Sequence, residues 1–163
     1  MKKILLLNIY FTFLFSQIVI NELMVAPLND LGGQFSEYIE LYNTSNQDIN
    51  LENWSIQNEF PTTITLSSVV ISAHSYLTLG MTNNTGLNQG MAFDYAWGVG
   101  NEFLDNGSDG LVNLYDNNGN LIDTVYYNTT SWPLNEAMSM ELNNPFNDNS
   151  LYINWAPGTT PYD

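Results

Sequence analysis

The stretch QFSEYIELYNTSNQDINLENWSI, Gln34 to Ile56, places Glu37, Glu40 and Glu52 among aromatic residues with no Lys or Arg beside them. Carboxylates in such surroundings can accept several N–H donors, hold a cation, or exchange a proton as a general acid or base. In EYIELY, a two-residue period sets Tyr38, Glu40 and Tyr42 on one face and Glu37, Ile39 and Leu41 on the other. Glu22 stands similarly upstream, between Asn21 and Leu23.

A second acidic stretch, DNGSDG, runs from Asp105 to Gly110, with Asp116 beyond it. Asp105, Asp109 and Asp116 occupy the first, fifth and twelfth places of a calcium loop, with Gly110 at the sixth. Gly107 takes the place of a third oxygen ligand, the twelfth residue is Asp where a bidentate Glu belongs, and a strand follows where a helix should. Two readings stand: a plain turn, or a loop binding calcium at about millimolar affinity. His74 is the single histidine and there is no cysteine, so neither a zinc site nor a Cys–His pair can be built. No G-x-S-x-G elbow accompanies it, and ISAHSYL reads as a surface turn. Trp54 alternates with Ile56 and is expected between two sheets, with Trp97, Trp132 and Trp155 in the core or at its rim. An exposed pair of these rings would instead form a platform for sugars.

The elements that must position these residues are strands. No window holds a helical period beyond about two turns. Short runs rich in β-branched and aromatic residues recur, each closed by Asn, Gly, Asp or Pro: IVINELMV, EYIELYN, LENWSIQN, TTITL, HSYLTLG, FDYAWG and AMSMELN. The clearest is GLVNLYDNNGNLIDTVYYN (Gly110–Asn128), two strands around an Asn-Asn-Gly-Asn turn. About eight or nine mostly antiparallel strands predict an all-β sandwich or barrel in one domain. The Asn-, Pro- and Gly-rich residues 143–163 are expected to form an extended, loosely packed tail.

Residues 1–16, MKKILLLNIYFTFLFS, have the layout of a bacterial export signal: Lys2 and Lys3, an apolar run, then a small residue. Cleavage would leave a domain spanning 17–163; an uncleaved anchor is the alternative, with Leu14 a mediocre residue three before cleavage. Loss of Lys2 and Lys3, the only basic residues, with all 17 acidic residues kept, moves the formal charge from −15 to −17. A domain without Lys or Arg cannot neutralise phosphates, which argues against nucleic acid and anionic membranes as partners. Without cysteine, its stability must come from its core.

INELM (Ile20–Met24), EYIELYN, INLENWSI (Ile49–Ile56), SDGLVNLYDNNGNLIDTVYY (Ser108–Tyr127) and SWP (Ser131–Pro133), in that order and spacing, resemble the lamin tail domain of bacterial exported proteins. The resemblance runs from about Ile18 to Trp155 and implies an immunoglobulin-like β-sandwich. It also implies a structural role for Glu22 and Glu40, such as accepting loop amide hydrogen bonds, and no catalytic residues. In animal lamins the domain is a nuclear interaction module; in bacteria it accompanies surface enzymes and sorting domains. A secreted or cell-surface module contacting protein or polysaccharide is therefore expected, with an accessory piece of a larger hydrolase or a carbohydrate-binding module as alternatives.

Overall fold

The computed structural model describes residues 17–27, 35–60, 62–99, 103–107 and 109–159. The candidate export signal, residues 1–16, lies outside them. No helix among the described residues is long and apolar enough to cross a membrane.

Two sheets face each other across one apolar core. The first has six strands: β1 (Ile18–Met24), β2 (Tyr38–Asn43), β7 (Tyr76–Gly80), β8 (Tyr95–Ala96), β11 (Met140–Leu142) and β12 (Trp155–Pro157). Their spatial order is β12-β11-β1-β2-β7-β8. The second, ordered β10-β9-β4-β5, holds β4 (Ser55–Asn58), β5 (Thr63–Thr65), β9 (Gly110–Tyr115) and β10 (Leu121–Tyr127). A small pair, β3 (Ile49–Asn50) and β6 (Val70–Ile71), completes the set. Every pairing is antiparallel except β7 with β8.

Alternation along the strands builds the core. Ile18, Ile20, Leu23, Ile39, Leu41 and Leu79 from the first sheet meet Ile56, Ile64, Val112, Leu114, Val125 and Tyr127 from the second. Each such aliphatic side chain, taken out of water, contributes about 1.5–3 kcal/mol. Trp54 and Trp97 pack half-buried against this cluster, and Trp132 and Trp155 are buried within it.

The spacing of the apolar residues in β1 breaks step: Ile18 and Ile20 are buried, and so are Leu23 and Val25. The extra residue is a bulge between Ile20 and Glu22, which sets Asn21 and Glu22 together opposite Glu40. The β9–β10 hairpin turns as expected from its sequence. Gly119 lies at φ 79, its N–H donates to the Asp116 carbonyl at 3.0 Å, and the Asp116 Oδ1 accepts the N–H groups of Asn118 and Asn120 at 2.8 Å each. At the far end of β9, Gly110 pairs with Tyr127, and a Cβ there would lie 2.1 Å from the ring.

Residues 143–159 are more ordered than their composition predicts. β12 pairs with β11, and Trp155 packs on Trp132 with ring centroids 5.4 Å apart. Asn149 bridges the two sheets: its Nδ2 donates to the Ile20 carbonyl at 3.2 Å and to Asp123 Oδ2 at 2.7 Å, while its own carbonyl accepts Trp155 Nε1–H at 2.9 Å. Tryptophan burial and a side-chain anchor override the weak local propensity of Asn, Pro and Gly.

Candidate functional site

Register draws the carboxylates into a line. Glu22 on β1 pairs with Glu141 on β11 and with Glu40 on β2, and Glu40 pairs with Thr78 on β7. Their strand neighbours Leu23, Ile39, Leu41, Leu77, Leu79, Met140 and Leu142 are buried, so the glutamates stand on the outer face of the six-stranded sheet. Beyond β7, Asp94 Oδ2 accepts the Thr78 N–H at 2.8 Å and its hydroxyl at 2.9 Å. The line thus runs Glu141, Glu22, Glu40, Thr78, Asp94. At about 4.8 Å per strand, Glu141 and Thr78 are roughly 14 Å apart.

Like charges directly opposite one another destabilise a sheet, and no Lys or Arg exists beyond Lys3 to offset them. The offsets present are small. The Tyr38 hydroxyl donates to Glu22 Oε1 at 2.6 Å, and Asn21 Nδ2 donates to Glu40 Oε1 at 2.9 Å. The carbonyl oxygen of that Asn21 amide is buried without a hydrogen-bond partner. Burial, reinforced by Glu22, Glu141 and Asp94 and only partly offset by Asn21, pushes the Glu40 carboxyl up to about 7. Burial and Glu22 also raise Glu141.

Aromatic rings flank the line. Two residues along β2 and β7, Tyr42 and Tyr76 pair with centroids 4.6 Å apart, and Phe146 meets Tyr42 edge-on at 6.4 Å. Tyr76 is 52% exposed and Phe146 58%. On the other side, Tyr38 and the buried Phe93 close over Gly80. The arrangement is an acceptor-rich strip beside exposed rings.

The model of the lamin tail domain matches residues 15–129. This chain belongs to the lamin tail domain family. The family is immunoglobulin-like and generally non-catalytic. The match ends before β11 and β12, yet both strands are hydrogen-bonded into the first sheet, so the lamin tail sandwich of this chain closes beyond the matched span. No curated protein matches it.

Within this lamin tail domain the other acidic residues lie apart. Asp105 and Asp109 precede β9, whereas Asp116 follows it, roughly 20 Å away at strand rise from Asp109. Asp105 Oδ1 accepts the Gly107 N–H at 2.7 Å, Asp109 accepts the Tyr126 hydroxyl, and Asp116 is taken up by the hairpin turn. Among the described residues, no group of three or more His, Asp or Glu side chains is arranged to hold a metal ion. Among the described residues, loop amides are accepted by Glu37 and not by Glu22 or Glu40: its Oε2 takes the N–H groups of Phe103 and Leu104 at 3.0 and 3.3 Å. His74 sits exposed in its turn at φ 53, Nε2 2.7 Å from Asn46 Oδ1. Trp132 and Trp155 are inclined at 51° and buried, so this pair makes no exposed flat platform.

Two residues carry more than their sequence suggested. Asp123, at a bulge in β10, accepts the Ile20 N–H at 2.6 Å, Asn149 Nδ2 at 2.7 Å and the Thr124 N–H at 2.9 Å. Burial outweighs these bonds and pushes its carboxyl up to about 6. Its parity with the buried Val125 and Tyr127 was the available signal. Glu141 had none, because only the pairing of β11 with β1 brings it to Glu22.

Proposed function

We propose that this lamin tail domain is a secreted or cell-surface, non-catalytic module for adhesion or protein and ligand contact, exported by a bacterial signal in residues 1–16. The observation that carries the reading is the outer face of the six-stranded sheet. There Tyr76 on β7 and Phe146 in the loop after β11 stand exposed beside the carboxylate line. Membership of a generally non-catalytic family supports it. So does a charge that disfavours nucleic acid and anionic membranes as competing partners.

Expression of the full chain with a C-terminal tag in a bacterial host tests it. The reading predicts a processed protein beginning at Gln17, recovered outside the cytoplasm and retained at the cell surface. An unprocessed chain confined to the cytosol would contradict it. A hydrolytic activity lost on substitution of Glu40 would point to the enzyme class instead.

A further inference from the structure

We propose that the outer face of the six-stranded sheet binds an extended, lysine- or arginine-bearing segment of another protein along the line Glu141, Glu22, Glu40 and Asp94, with Tyr42 and Tyr76 as its aromatic wall. This names the partner chemistry of the surface module proposed above and rests on that reading.

The line offers acceptors almost exclusively. Glu22, Glu40, Glu141 and Asp94 are acceptors when ionised, and the buried Oδ1 of Asn21, whose Nδ2 is bonded to Glu40, lacks a donor. A ligand that fits must bring donors and positive charge, and a lysine ammonium has three donors and no acceptor. The chain supplies no such group from residue 4 onward, so the complement must come from outside. Side chains two residues apart on one side of an extended peptide are roughly 6.6 Å apart. Three basic residues at alternate positions therefore reach about 13 Å, close to the roughly 14 Å from Glu141 to Thr78. A spread of one carboxylate per strand suits several ammonium groups in a row better than a single ion.

The rings supply the second element. Tyr42 and Tyr76 lie two residues along β2 and β7 from Glu40 and Thr78, where an ammonium held by the carboxylates carries its aliphatic stem across a tyrosine face. Cations within about 6 Å of such a face are attracted to it.

Binding is coupled to a proton. Glu40 faces Glu22 on β1, Tyr42 on its own strand, Tyr76 on β7 and Asp94 beyond that edge, with Glu141 further across the sheet on β11 and Tyr38 bonded to Glu22. An ammonium arriving there displaces the proton that burial and these neighbours keep on Glu40 near neutrality. Affinity therefore rises from pH 6 to pH 8.

The test is an NMR titration of the 15N-labelled full chain with a short peptide carrying lysine at every second position, and with its glutamine counterpart. Shifts are expected at Asn21, Glu22, Glu40, Tyr42, Tyr76 and Glu141 with the lysine peptide alone. The double substitution Glu40→Gln with Glu141→Gln should weaken binding about tenfold. The equal-charge control, Glu52→Gln with Glu136→Gln at exposed positions, should change it far less. Should the double variant unfold, Glu141→Gln alone, with the pH 6 to pH 8 comparison on the unsubstituted chain, carries the test. Shifts spread over all acidic surfaces, equal losses in both variants, or no rise with pH would overturn the site, and so would calcium alone moving the same amides. Any of these with surface retention intact would leave the module reading standing.

Discussion

The seam between β1 and β10 and the outer face of β1 are built from the same kind of group under the same constraint, and they answer it in opposite ways. At the seam, β11 pairs with β1 only at Glu22 and Leu23, which leaves the Ile20 backbone on that edge in need of partners. Asp123 and Asn149 supply them, and the Asp123 carboxylate is repaid with three N–H donors. On the outer face, Glu22 and Glu40 have one side-chain donor each and one another as neighbours. A chain with no Lys or Arg beyond Lys3 can stabilise a carboxylate with fixed N–H groups, as it does for Asp123 and Glu37, or it can leave the carboxylate half-exposed and receptive. The first solution holds the fold together, and the second leaves a surface for binding.

Removing the donors' partner should show the larger effect. Asp123→Ala takes the acceptor from the Ile20 and Thr124 N–H groups and leaves Asn149 Nδ2 only the Ile20 carbonyl, and should lower unfolding stability by about 3 kcal/mol in a urea titration. Asp123→Asn keeps one acceptor and should lose less. A cost for Asp123→Ala below that of Asp123→Asn would break the distinction between seam and face.

The pH dependence of melting comes next. Burial raises Asp123 from 3.8 to about 6 and Glu40 from 4.5 to about 7. Both folded values exceed the unfolded ones, so the folded chain holds the extra protons and stability falls as pH rises through these windows. About 2 kcal/mol should disappear between pH 4 and 6 through Asp123, and about 1 kcal/mol between pH 5 and 7 through Glu40, the latter reduced because solvent reaches it. Asp123→Asn should flatten the lower window and Glu40→Gln the upper. A melting temperature that instead climbs steadily from pH 4 to 8 would contradict both.

Tyr38→Phe should have the smallest effect. It removes the hydroxyl that Glu22 accepts and should cost about 1 kcal/mol, with partial recovery in high salt as repulsion along the line is screened. Equal losses at all ionic strengths would assign the effect to packing of the buried ring rather than to the line.

The sequence made the strands more legible than the site. Nine of the strands fall within runs rich in β-branched and aromatic residues that can be read directly, the two-residue β8 through its FDYAWG run, and the Asn117–Asn120 hairpin formed where its residues dictate. β3 and β6 are two residues each and β12 three, too short to show a period. β12 also hides in a tail whose composition reads as irregular, because Trp155 gains its burial from Trp132, distant in sequence. The face of Glu40 followed from its parity with Tyr38 and Tyr42. The line did not, because it depends on which strands lie side by side. The missed step between Ile20 and Leu23 was visible as a break in alternation and marks the bulge that sets Asn21 beside Glu40. The distance between Asp109 and Asp116 shows the converse: a spacing that matches a loop motif is undone when the intervening residues form a strand.

A carboxyl 13C NMR titration of the full chain from pH 4 to 9 tests most directly whether the two groups of carboxylates differ. Glu40 should titrate near 7 and Asp123 near 6, while the lysine-bearing peptide should pull the Glu40 midpoint downward and leave Asp123 unmoved. Midpoints for both below 5, or equal displacement of both by the peptide, would contradict the division between a sealed seam and a receptive face.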